Sequence, residues 1–168
     1  MNNQNTNELI AACGLYCGGC GVYLATQEND NDKILYYAVA LNQTYEETLC
    51  DGCGAKRKSL HCTKICTFIK CKQEKGVGNC VDCNEFPCES LKDFKSKMPH
   101  RAEIFDSLKR LKDIGEEKWL SEMQEYFSCK QCNTANSSYH INCRKCGHTP
   151  GSEFAFKHKD AIIKYLAK

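Results

Sequence analysis

The sequence has no uninterrupted apolar run approaching the roughly 20 residues that a membrane-spanning helix needs. An integral membrane protein is therefore excluded. The opening residues, from Met1 to Glu8, are polar, carry no basic start and lead into no apolar stretch of signal-peptide length. Export is not expected, and the cytoplasm is the expected compartment. The chain also shows no catalytic triad, phosphate-cradling glycine loop or dinucleotide fingerprint, and its carboxylates are scattered without a spacing that pairs two of them. Ordinary enzymology finds no foothold, and a non-enzymatic protein is favoured.

Excess charge is another thing the chain lacks, its formal net charge being only +2. Lysine and arginine do cluster at Lys56-Arg57-Lys58, at Lys70, Lys72 and Lys75, and at Lys92, Lys95 and Lys97. Such runs read as solvated helix faces, so nucleic acid is a disfavoured partner and a protein the expected one.

What is abundant is cysteine, 15 in 168 residues. Disulfides and metal thiolates compete to explain it. A reducing compartment, an odd total and dense Cys-x-x-Cys spacings favour metal, and zinc first. Three zinc ions on twelve thiolates would carry the net charge from +2 to roughly −4, since each ligand binds as a thiolate.

Along the chain, Cys13, Cys17 and Cys20 fall at i, i+4 and i+7, the spacing of one helical face, with glycines beside them that permit close packing around a metal. A helix is expected over residues 32–42, with Ile34, Leu35, Ala38, Val39 and Leu41 covering that cluster. Cys50-Asp-Gly-Cys53 reads as a tight knuckle. A helix from Cys62 to Lys75, stopped by Gly76, would place Cys62 and Cys66 one turn apart, Cys71 in its last turns, and Ile65 and Ile69 inward. Cys80-Val-Asp-Cys83 and Cys88 follow, then a helix to Lys97 with Leu91 and Phe94 inward. A helical pair turning at Gly115 is marked by Ile104, Leu108, Leu111, Trp119, Leu120, Met123 and Phe127.

Cys129-Lys-Gln-Cys132, ten intervening residues and Cys143-Arg-Lys-Cys146 form the most specific metal signal, a spacing that closes a four-cysteine site. The expected form is a zinc ribbon, with iron the alternative occupant of the same four thiolates. Residues 137–142 are expected as a strand, Phe154 and Phe156 as a third short strand, and a last helix docks through Ile162, Ile163 and Leu166. The fold class expected is mainly α with little β. Residues 8–98 are expected as a cysteine-rich metal-binding domain, 99–127 as a helical hairpin, and 128–168 as a ribbon with a C-terminal helix.

The runs Cys-Gly-Leu-Tyr-Cys-Gly-Gly-Cys-Gly-Val-Tyr at 13–23 and Cys-Val-Asp-Cys-Asn-Glu-Phe-Pro-Cys at 80–88 resemble those of the domain-of-unknown-function family numbered 3795, across about residues 10–97. The resemblance implies a shared cysteine framework at Cys13, Cys17, Cys20, Cys50, Cys53, Cys66, Cys71, Cys80, Cys83 and Cys88, and metal binding. It implies no activity and does not place Cys62.

Three functions remain open at this point. Structural zinc, about three ions, in a protein-interaction or adaptor module is the leading one. An iron–sulfur or radical-type enzyme using Cys13, Cys17 and Cys20 is the second, weakened by Gly19 in place of an aromatic residue before the third cysteine. The third is a thiol-based metal or redox sensor working through surplus thiols such as Cys62 or Cys71, with Lys64, Lys70 and Lys72 nearby. His61, beside Cys62, is the histidine best placed to complete a metal site.

Overall fold

The computed structural model describes residues 6–168. Its α-helices are α1 (Gly21–Gln27), α2 (Asn31–Leu41), α3 (Tyr45–Thr48), α4 (Thr67–Lys75), α5 (Glu89–Ser96), α6 (Ile104–Ile114), α7 (Glu116–Tyr126), α8 (Glu153–Lys157) and α9 (Lys159–Leu166). Single 3₁₀ turns at Cys17–Gly19, Cys80–Asp82 and Pro99–Arg101 link them. No helix among the described residues is long and apolar enough to cross a membrane.

Local sequence explains most boundaries. Asp30 caps α2 by accepting from the Lys33 N–H, and Asn42 ends it in the left-handed conformation. Thr44 and Glu47 form a reciprocal capping box on α3. Gly76 ends α4 at φ +63°, as its lack of a Cβ allows. The expected helix over 62–75 is broken, however: a wide π-type turn occupies His61–Ile65, Cys66 is extended, and α4 starts only at Thr67. Phe68 is then the buried residue, while Ile65 is exposed.

The core lies where the helical pair α6/α7 meets the chain start. Ala11, Ala12 and Cys13 pack with Phe68, Val81, Leu91, Ile104 and Leu108. Ile10 joins Leu111, Trp119 and Leu120. Trp119 is fully buried, and its indole N–H donates to the Ser107 carbonyl at 3.1 Å, satisfying the polar end of a large apolar ring. Ser107 in turn donates to the Gly14 carbonyl at 2.9 Å, tying α6 to the loop that carries Cys13.

The expected β module is not there. Among the described residues no strand forms, and only isolated bridges pair Ile10 with Tyr16 and Ser128 with Ala135. The mainly helical expectation holds and the C-terminal ribbon is overturned. Within residues 137–142 much of the backbone is bonded in turns: the His140 N–H donates to the Ser137 carbonyl, the Ile141 N–H to Tyr139, and the Ser137 N–H to the His140 ring. Such side-chain and turn bonds compete with a strand ladder. Phe154 and Phe156 belong to α8, capped by the Ser152 hydroxyl. Two residues apart on a helix they point away from each other, so Phe154 is buried and Phe156 is 64% exposed. On α9 only Ile162 docks, with Ile163 and Leu166 exposed, and on α2 only Ile34 and Ala38 are buried while Leu35, Val39 and Leu41 face outward.

The C-terminal segment is fastened to the rest of the chain. Phe127 stacks on Phe154 at 5.0 Å between centroids and meets Tyr16 at 5.6 Å. The Ser138 N–H donates to the Gly19 carbonyl at 3.1 Å. A Cβ on Gly19 would lie 2.6 Å from the Phe127 ring, so this glycine serves close packing against Phe127. Arg144 makes a two-pronged ion pair with Glu28.

Candidate metal centre

Two matching turns build the C-terminal centre. In the first, the Cys129 N–H donates to the Thr134 carbonyl at 2.9 Å and the Asn133 N–H returns to the Cys129 carbonyl at 2.8 Å. In the second, the Cys143 N–H donates to His148 at 2.8 Å and the Gly147 N–H returns to Cys143 at 2.9 Å. Asn133 and Gly147, each following the second cysteine of its pair, both take a left-handed φ, +54° and +73°, residues for which that region is accessible. The repeated bonding aims the two cysteines of each turn at one point.

The sulfurs of Cys129, Cys132, Cys143 and Cys146 all lie within 4.8 Å of one another. Cys129 and Cys146 are 3.7 Å apart, and Cys132 and Cys143 3.6 Å. A tetrahedral zinc with bonds of about 2.3 Å requires an edge of about 3.8 Å. The four thiols therefore fit one tetrahedral ion, and this cluster can hold a metal. Among the described residues it is the only group of three or more cysteine, histidine, aspartate or glutamate ligand atoms at such mutual spacing.

Backbone and amide donors surround these sulfurs. The Gln131 N–H points at Cys129 Sγ at 3.4 Å and the Asn136 amide at Cys143 Sγ at 3.7 Å. Burial opposes ionisation of Cys143, but the N–H groups of Cys146 and Lys145, with Asn136 and Cys132, outweigh it and bring the thiol down to about 6. Thr134 lowers Cys132. Cys146 goes the other way, to about 12, because the thiols of Cys132, Cys143 and Cys129 outweigh the His148 N–H. Like charges this close do not all ionise without a cation among them.

Asn136, absent from the expected site residues, organises both turns. Fully buried, it donates from Nδ2 to the Thr134 and Gly151 carbonyls, each at 2.8 Å, and accepts the Arg144 N–H at 3.0 Å. A polar residue midway between two cysteine pairs was its only signal in the sequence.

The other eleven thiols form looser groups. Cys13, Cys17 and Cys20 do not share a helical face: Cys17 opens a 3₁₀ turn and Cys20 is the residue before α1. The Cys53 N–H donates to Cys17 Sγ at 3.2 Å. Burial raises Cys17, and Cys53, Cys20 and Cys50 raise it further. Cys17 and the Cys50 to Cys53 knuckle are thus neighbours in space. The Cys62 thiol is the main influence on Cys50, bringing it down to about 6, and Cys50 in turn raises Cys62. Cys13 is buried, pushed up to about 12 first by that burial and then by Cys53, Cys66 and Cys80. Cys71, Cys80, Cys83 and Cys88 line one cavity beneath α4 and α5. Burial lowers the His61 ring, and the charge that adds to this is Arg101, not a thiol.

Fold and site together define a helical, cysteine-rich protein with a four-thiol cluster that can hold a metal ion. The chain belongs to the family described as Protein of unknown function (DUF3795), which matches residues 9–93, covering the eleven N-terminal thiols and stopping short of the tetrad. No curated protein and no solved structure matches it.

Proposed function

We propose that the protein is a zinc-binding interaction module in which the ion at Cys129, Cys132, Cys143 and Cys146 is structural. The observation that carries this reading is the four-sulfur cage, whose edges of 3.6 and 3.7 Å suit a single zinc and leave no coordination position for a substrate. Closed sites of this type contribute folding free energy and do no chemistry. Support for the interaction role comes from α2, where Leu35, Tyr36, Val39 and Leu41 are all exposed, more large apolar surface than a solvated helix needs. The remaining thiols add further metal binding in the family region.

Chelation followed by hydrogen exchange tests the structural role. Removing zinc from the loaded protein is expected to expose the Cys129, Cys143 and Asn136 amides, which bond across the two turns. Protection unchanged after chelation would refute it.

A further inference from the structure

Cys71 comes from the middle of α4, Cys80 opens the 3₁₀ turn, Cys83 closes it, and Cys88 precedes α5. The four line a single cavity of about 420 Å³ together with Phe68, Phe86 and Leu91. That space greatly exceeds the room taken by one water, about 30 Å³. Burial raises the Cys80 thiol, and Cys88, Cys71 and Cys83, followed by Cys66, raise it further, so each of these sulfurs is within electrostatic reach of Cys80. Yet they are not drawn into the mutual 4.8 Å spacing of the C-terminal tetrad. The chain thus contains one tight four-cysteine cage and a second four-cysteine group arranged around a cavity. A single zinc pulls its ligands to an edge of about 3.8 Å. A polynuclear cluster carries its cysteines on the outside of an inorganic core, and so holds their sulfurs further apart.

Ammonium groups reach the sulfurs. The Lys75 ammonium donates to Cys83 Sγ at 3.7 Å while pairing with Glu85 at 2.8 Å, and Lys72, Glu85 and Glu89 line the same cavity. Phe68 meets Phe94 edge-on at 4.9 Å behind it, a dry apolar wall on the protein side. Hydrogen bonds to sulfur and limited solvent access are the means by which proteins set the properties of such clusters.

From this geometry we infer that Cys71, Cys80, Cys83 and Cys88 hold an iron–sulfur cluster, distinct from the zinc centre. Each thiol exchanges its S–H bond for an S–Fe bond and releases the proton to solvent, with no net electron transfer on binding. The inference stands on the cavity and is independent of the zinc reading at the other end of the chain.

Anaerobic reconstitution of the full chain with ferrous and ferric iron plus sulfide tests it. The wild type is expected to turn brown and take up acid-labile sulfide. The Cys83→Ser/Cys88→Ser variant is expected to take up less iron and sulfide by about one cluster, roughly two of each or four of each according to cluster type. Its zinc content and the emission of the single, buried Trp119 should not change, which shows that the chain is folded. Cys132→Ser/Cys146→Ser should do the reverse, losing zinc and keeping the chromophore. If the first variant fails to fold, Lys75→Met keeps all four ligands and is expected to form the cluster at a more negative reduction potential. A wild type without labile sulfide, a cysteine variant retaining all iron and sulfide, or a Lys75→Met cluster of unchanged potential would overturn the inference.

Discussion

Replacing Asn136 by alanine removes the side chain on which both cysteine turns hang. The loss leaves the Thr134 and Gly151 carbonyls and the Arg144 N–H without the partners they have at 2.8, 2.8 and 3.0 Å. A buried polar group left unpaired costs about 1–3 kcal/mol. Water entering the space vacated by the amide recovers part of this, so a net loss of about 3 kcal/mol is expected. Because ordering of the turns is coupled to metal binding, that loss should appear as a fall in zinc affinity of roughly 100-fold, at about 1.4 kcal/mol per tenfold. Outer-shell partners of metal ligands elsewhere are worth about 10–100-fold. Competition against a chromophoric chelator reads the affinity directly, and Trp119 fluorescence shows that the core it forms with Ile10, Leu111 and Leu120 is intact. Asn136→Asp should be worse than alanine, since a carboxylate would face two carbonyl oxygens and the Cys143 sulfur 3.7 Å away. An Asn136→Ala affinity within about threefold of wild type would refute the reasoning.

Three further outcomes are expected. Gly14→Ala should destabilise the core strongly, because Gly14 has φ +89° and a Cβ there would lie 2.5 Å from Leu108 Cγ and 2.8 Å from the Ile104 carbonyl; a thermal midpoint equal to wild type would contradict this. His100 is held at about 4 by burial, with Arg101 and His61 adding to the effect, below the usual value near 6.5. Its folded pKa is depressed, so the stability it contributes is complete above about 6.5 and is lost as pH falls toward 4. In saturating zinc, His100→Gln should flatten the dependence of the unfolding midpoint on pH across that window, and an unaltered slope would count against it. Val39→Glu, at a position 83% exposed, should change stability by less than about 0.5 kcal/mol. A loss above about 1 kcal/mol in denaturant titration would mean that the outer face of α2 packs within the chain.

The tetrad was legible in the sequence because two Cys-x-x-Cys turns encode their own geometry: each pair is local, and only the meeting of the pairs is long-range. The α6/α7 hairpin was legible for the same reason, with 3.6-residue periodicity on both sides of Gly115, a residue that takes φ +80°. Strand character at 137–142 misled because the Ser137 and His140 side chains bond the local backbone, and among the described residues no partner strand exists to outcompete them. Phe154 and Phe156 misled because an alternation of two residues is too short to separate strand from helix, and the Ser152 cap decides it. The grouping of the eleven N-terminal thiols was only partly legible. It depends on how α4, α5 and the loops around Cys13 and Cys50 converge, and no local spacing encodes that convergence.

The central claim is one zinc ion on the four sulfurs at 3.6 and 3.7 Å edges. Native mass spectrometry of the zinc-loaded full chain against Cys132→Ser/Cys143→Ser tests it most directly. The variant is expected to carry one zinc fewer than the wild type, with every other bound metal retained. Equal zinc content in the two proteins would contradict it.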